Sequence, residues 1–223
     1  MKRLSIAIDG PAGAGKSSVA KILAKTMGYT YLDTGAMYRA LTYAALSRGL
    51  SETKDIIAMA RALTMTVSPG ETSMRVFLDG EEVTDFLRTP DVSAHVSAVS
   101  AIPEIRTLMV DLQRKLSEAG GTVLDGRDIG TVVLPDADVK IFLTASPRTR
   151  AIRRYKEMAE TNPGITVDEI EADIRERDYK DSTRETSPLR EAEDAVHLDN
   201  GDLTLEETAA AIRKICDEKA GAC

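Results

Sequence analysis

Apolar residues dominate Leu4 to Ile8, with Ser5 between them, and stop at Asp9 and a Gly/Pro cluster, the pattern of a buried strand. From Ser17 to Met27 the period changes: Val19, Ile22, Leu23 and Met27 repeat with helical spacing, and Gly28 stands where a left-handed C-cap is favoured. Tyr29 to Asp33 reads as a second strand, and Met37 to Leu46 as a second helix ending near Gly49. Strands alternating with helices predict a parallel sheet covered on both faces. The rhythm breaks between Thr64 and Val83. There, alternating stretches are punctuated by Pro69-Gly70 and Asp79-Gly80, the second a strong hairpin signal, which predicts a small antiparallel insertion.

Helical spacing returns from Val92 to Leu116, with Pro103 placed to break it. Gly120-Gly121 leads into a strand at Thr122 to Leu124, and Val139 to Thr144 is a further one. Ser146-Pro147 then opens a helix as N-cap and first-turn proline. Asn162-Pro163-Gly164 reads as a turn, and Thr166 with Glu169 as a capping box for the next helix, which runs into the charged stretch Arg175 to Arg184. A short strand at Ala195 to Leu198 and an amphipathic helix at Leu205 to Ile215 close the pattern.

Composition narrows the function classes. The chain has 223 residues, of which 43% are hydrophobic and 29% charged, enough for one substantial core without staples. Lys and Arg number 29 against 36 Asp and Glu, a net charge of −7, which disfavours a duplex nucleic-acid binder. Six Tyr, three Phe and no Trp offer no stacking platform for single strands. Cys216 and Cys223 are too few for a disulfide framework or a zinc site. No apolar run approaches a membrane span, and the start of the chain is too short in apolar residues for a secretory signal. A cytoplasmic protein without membrane or nucleic-acid partners is the expectation, and a monomer.

Five polar stretches then carry chemistry. Gly10-Pro11-Ala12-Gly13-Ala14-Gly15-Lys16-Ser17 fits G-x-x-x-x-G-K-[ST] without mismatch, between a strand and a helix as a phosphate cradle requires. Its glycines let backbone N–H groups turn toward phosphate oxygens, Lys16 reaches the β/γ-phosphates, and Ser17 can hold magnesium. Nucleoside triphosphate binding follows. Asp33-Thr34-Gly35-Ala36-Met37-Tyr38-Arg39 ends the second strand, where Asp33, Thr34 and Arg39 are placed to face a group that accepts or donates phosphate, the plainer alternative being Thr34 as helix N-cap with Arg39 at the surface. Asp125-Gly126-Arg127-Asp128-Ile129-Gly130 follows another strand, with Asp128 expected to orient Arg127. Arg177, Asp181 and Arg184, at i, i+4 and i+7, are expected on one helix face. The arginines between Arg148 and Arg154 supply positive charge against an acidic background, suited to a mobile cover over transferring phosphate or to RNA. His95 and His197 have no catalytic partners in the sequence and read as structural.

Taken together, and in this order, the segments Ile8 to Ser18, Leu32 to Arg39, Asp125 to Ala137, Lys140 to Ala145 and Glu176 to Arg184 resemble the bacterial cytidylate (CMP) kinases, P-loop nucleoside monophosphate kinases. The resemblance spans nearly the whole chain. It implies one P-loop kinase domain over 1–223: a parallel sheet flanked by helices, a monophosphate-binding insertion near 64–100 and a lid near 148–165. It also implies an ATP-dependent phosphotransfer to CMP and dCMP with Mg2+. Gly10 through Ser18 (Gly10, Pro11, Ala12, Gly13, Ala14, Gly15, Lys16, Ser17, Ser18) would bind ATP, and Ser17 the metal. Thr34, Arg39, Ser97, Arg106, Arg127, Asp128, Arg177, Asp181 and Arg184 would bind CMP. In that picture Arg39, Arg127 and Arg184 grip the acceptor phosphate, Ser97, Arg106 and Asp128 read the cytosine, and Asp181 with Arg177 holds the ribose. Lys16 with Arg148, Arg150, Arg153 and Arg154 would form the catalytic charge set. An adenylate- or shikimate-type kinase, and a P-loop ATPase or RNA-binding switch, are the competing readings.

Overall fold

The computed structural model describes residues 3–70, 73–159 and 164–221, so Asn162 and Pro163 of the expected turn, and Cys223, lie outside the described residues. In chain order the elements are β1 (Ser5–Asp9), α1 (Lys16–Met27), β2 (Thr30–Asp33), α2 (Thr34–Ser47) and α3 (Thr53–Ala62). Next come β3 (Met65–Ser68), β4 (Arg75–Leu78), β5 (Glu81–Glu82), α4 (Pro90–Ala101) and α5 (Pro103–Ser117). The last are β6 (Thr122–Gly126), β7 (Val139–Thr144), α6 (Pro147–Met158), α7 (Val167–Thr183), β8 (Val196–Asp199) and α8 (Leu205–Gly221). These elements form two compact units, residues 1–29 with 120–223, and residues 30–119.

In the first unit β1 lies between β6 and β7, with Ile6 opposite both Val123 and Val139, and β8 pairs outside β7. Every pairing is parallel, in keeping with the mostly apolar run at residues 4–8. Ile6, Ala7, Ile8, Val123, Leu124 and Leu143 are fully buried, and each large one contributes about 1.5–3 kcal/mol on leaving water. Because the strands run the same way, their carboxyl ends share one edge. The loops that leave Asp9, Gly126, Thr144 and Asp199 therefore meet there. Helices α6 and α7 pack on each other around a separate apolar cluster of Ala151, Ile170 and Ile174, with Tyr155, Ile165 and Val167 at its rim.

The second unit holds the predicted antiparallel piece, a three-stranded sheet in the order β3-β4-β5. Asp79 and Gly80 both have positive φ (50° and 88°), the geometry of the hairpin turn that the sequence announces. Pro103 divides the helical stretch after Ala101 as expected, since Ile102 takes an extended conformation before it. Helix α2 packs against α4 and β4. Among the described residues no helix is long and apolar enough to cross a membrane.

Candidate functional site

The loop between β1 and α1 turns on three glycines with positive φ: Gly10 at 146°, Gly13 at 76° and Gly15 at 85°. A Cβ at Gly10 would stand 2.0 Å from the Leu143 carbonyl oxygen of β7, so this position admits no side chain. The loop delivers the N-terminus of α1 and its partial positive charge to the sheet edge. Lys16 is 5% exposed, and its Nζ donates to the Pro11 carbonyl at 2.7 Å across the loop. Burial, and after it the charge of Arg127, hold the Lys16 ammonium well below the ordinary lysine range; Asp125 and Asp9 pull against them. A lysine so placed gains strongly from an anion that restores its charge.

Ser17 follows, and its Oγ donates to Asp125 Oδ2 at 2.8 Å. Asp125, the last acid of β6, is 5% exposed. A hydroxyl and a buried carboxylate beside a phosphate loop form a donor set that suits magnesium, a hard cation that takes few protein oxygens and shares the rest with phosphates and water. Asp9, at the end of β1, accepts N–H bonds from Ile129 (2.8 Å) and Gly130 (2.7 Å), which caps the wide single turn Ile129–Val133. Burial pushes its carboxyl up to about 6 even with both donors in place. Asp9 and Asp125 lie within the quoted motifs, but their roles emerge only from these contacts.

Arginines and acids gather around the segment after β6. Arg127 Nε donates to Asp181 Oδ2 at 2.8 Å, and its Nη1 to Gly126 O at 3.2 Å. The orienting carboxylate is thus Asp181 of α7 and not Asp128, which instead stands 3.8 Å from Arg184 Nη2. Arg184 lies one residue beyond α7 in extended conformation, its Nε on Ser187 O at 2.6 Å, so it does not continue the face of Arg177 and Asp181. Arg177 is near enough to contribute to the positive potential at Lys16.

The arginines of α6 divide. Arg148 is half exposed and pairs with Asp168 and Glu171 of α7, and Arg154 is exposed with no ion pair among the described residues. Arg150 and Arg153, expected as mobile cover, are instead fixed inside the unit. Arg150 is 3% exposed and donates to Ala145 O (2.9 Å), Ala12 O (2.8 Å) and Asp178 Oδ2 (2.7 Å). Arg153 donates to Asn200 Oδ1 (3.1 Å) and Asn200 O (2.6 Å). A cavity of about 430 Å³ opens beside them, lined by Ser146 and Thr149 at the start of α6 and by Asp199, Gly201, Asp202 and Leu203.

In the second unit the cap of α2 is Asp33, not Thr34: its Oδ1 accepts the Ala36 N–H at 2.7 Å. The aspartate carboxylate is a stronger acceptor and sits one residue earlier, which leaves Thr34 buried as the first helical residue. Arg39 Nη2 reaches both Asp33 oxygens (3.2 and 3.1 Å), and Arg88 Nη2 stands 3.6 Å from the same carboxylate. Gly35 makes this possible, since a Cβ there would lie 3.0 Å from Arg39 Nη1. Arg106, 3% exposed, donates to Ser100 O at 3.1 Å with its guanidinium 5.4 Å from the Tyr38 ring centre. Ser97 is half-buried on α4, one turn before Ser100. His95 bonds to the Asp91 carbonyl of its own helix, and His197 pairs with Glu191 and lies against the Phe142 ring.

Comparison with known proteins adds a family. The family described as cytidylate kinase matches residues 6–218. A cytidylate kinase of Enterococcus faecalis is 52% identical over 221 residues, covering 98% of each chain. One of Ligilactobacillus salivarius is 49% identical over 98% of this chain and 99% of its own. Among solved structures, a shikimate kinase from Acinetobacter baumannii in complex with shikimate aligns over 97% of this chain and 94% of its own, with TM-score 0.50 and 16% identity. An uncharacterized protein from Eubacterium ventriosum aligns over 97% and 99%, with TM-score 0.53 and 15% identity. Both share the fold alone.

Proposed function

The chain belongs to the cytidylate kinase family, and from that membership we propose that it transfers the γ-phosphoryl group of ATP to CMP, with dCMP as a second acceptor. An oxygen of the CMP phosphate attacks the γ-phosphorus, the bond to the β,γ-bridging oxygen breaks, and CDP and ADP leave. The acceptor is already an anion, so no general base is needed, in keeping with His95 on the Asp91 carbonyl and His197 on Glu191. Positioning and charge neutralisation supply the rate.

The observation that carries the ATP half is the phosphate loop, with a buried Lys16 whose charge is destabilised until an anion arrives. The nucleoside of ATP would extend from this loop into the cavity beside Thr149 and Gly201. Ser17 would hold magnesium with Asp125 behind it; the bound ion would supply a Lewis acid for the phosphate oxygens. For the acceptor, Arg127 and Arg184 bind phosphate, Asp128 the cytosine amino group, and Asp181 with Arg177 the ribose hydroxyls. Arg39 with Thr34 binds phosphate, and Ser97 with Arg106 the cytosine edge, within the second unit. Residues 64–100 form the monophosphate-binding insertion and 148–165 the lid, from which Arg148 and Arg154 neutralise developing charge. The same reading has the chain act on small molecules as a cytoplasmic monomer. A coupled ADP assay across CMP, dCMP, UMP, AMP and GMP tests the reading: rapid ADP formation is expected with CMP and dCMP, and equal rates with AMP and GMP would overturn it.

A further inference from the structure

A phosphate loop binds through N–H groups that point inward, and in a trans peptide each N–H points opposite to the carbonyl of the same unit. Whatever holds a carbonyl outward therefore aims the next residue's N–H inward. Among the described residues no peptide is cis, and two loop carbonyls are held from outside by side chains far away in sequence. Ala12 O accepts from Arg150 Nη1 at 2.8 Å, which directs the Gly13 N–H inward. Ala14 O accepts from Asn200 Nδ2 at 3.0 Å, which directs the Gly15 N–H the same way.

Both clamps are themselves oriented. Arg153 offers only donors, and one of them occupies Asn200 Oδ1, so the amide nitrogen of Asn200 must face Ala14. Asn200 is 1% exposed, and a Cβ on Gly15 would stand 3.6 Å from its Nδ2, so the amide seats directly against the loop. Arg150 uses the three directions of its fork on Ala145, Ala12 and Asp178, which leaves it one orientation. A charged donor on a peptide carbonyl also polarises that peptide and strengthens its N–H toward an anion.

We infer that Arg150 and Asn200, oriented by Asp178 and Arg153, are positioning residues that hold the Gly13 and Gly15 N–H groups toward the triphosphate, which rests on the ATP-binding reading above. Neither Arg150 nor Arg153 then belongs to the catalytic charge set that the sequence predicts.

The test uses the full chain. Asn200→Asp replaces the donor by a carboxylate oxygen facing the Ala14 carbonyl. Arg150→Lys keeps a cation beside Asp178, which protects folding, but cannot serve three acceptors at once. KM for ATP is expected to rise about 10-fold in each, the size of one lost buried hydrogen bond, while KM for CMP changes less than about twofold. Inorganic tripolyphosphate with Mg2+, which has no base to fill the cavity, is the second probe, and its inhibition constant should rise by the same factor as KM for ATP. Unchanged tripolyphosphate inhibition in both variants overturns the inference. So does a parallel rise in both KM values with a lowered melting temperature, which marks a general structural role. If the wild-type chain binds tripolyphosphate but does not phosphorylate CMP, the acceptor reading fails while the clamp is still read from tripolyphosphate alone.

Discussion

Asp125 illustrates how a single residue acquires its role. It closes a buried strand, and its 2.8 Å contact with Ser17 Oγ places it behind the hydroxyl proposed above to hold magnesium. Asp125→Asn keeps the shape but exchanges an acceptor for an amide. Groups that orient a ligand to a metal commonly cost 10–100-fold in metal affinity when changed. We expect the Mg2+ concentration for half-maximal activity to rise by about that factor in the variant, with KM for CMP little altered, measured by titrating the metal at fixed ATP. The partners of Arg127 and Arg150 teach the same lesson. Asp181 lies 54 residues from Arg127, and Ala12 lies 138 residues from Arg150, separations over which a one-dimensional pattern carries no contact information.

At the scale of elements the local signals were reliable because their physics is local. Ser146 accepts the Thr149 N–H as N-cap, and Thr166 with Glu169 closes a full capping box, each within one turn of chain. Thr34 was the exception: Asp33, its stronger neighbour, took the cap and bound Arg39 with the same carboxylate. Helices α6 and α7 depend on a small cluster of their own, in which Ile174 is 5% exposed. Ile174→Ala removes buried methylenes from a site with few neighbours to close the gap, at a cost of about 2–3 kcal/mol. Amide exchange across 147–158 and 167–183 should accelerate before that of β1, β6 and β7. Uniform acceleration throughout the first unit would instead show that the cluster is part of the main core.

For the molecule as a whole, the buried ionisable groups give stability a pH dependence that composition does not contain. Burial pushes the Asp9 carboxyl up from 3.8, its ordinary value in an unfolded chain, to about 6 in the folded one. Between those values the folded chain binds more protons than the unfolded one, so this group's contribution is greatest below about 4, falls as pH rises through 6, and is constant above. The size is about 2–3 kcal/mol. Exposed, hydrogen-bonded carboxylates such as Glu82 act in the opposite sense at lower pH. The comparison is therefore with Asp9→Asn: chemical denaturation at pH 4.5 and 7.5 should give a smaller loss on raising the pH in the variant than in the wild type. Equal losses would remove Asp9 from the account.

The sequence by itself determined the class of sheet, the antiparallel piece and the phosphate loop, because each rests on periodicity, turn chemistry or a contiguous motif within a few residues. The five segments from Ile8 to Arg184 also carried the family, since their order along the chain is itself information. Tertiary structure alone decided which acid orients which arginine, that Arg150 faces inward to the loop while Arg153 holds Asn200, and that Asn200, 186 residues from Ala14, seats against the loop. Those choices depend on which side chains the parallel sheet brings to its carboxyl edge. A guanidinium has the same sequence signature whether it faces solvent, a phosphate or a backbone carbonyl.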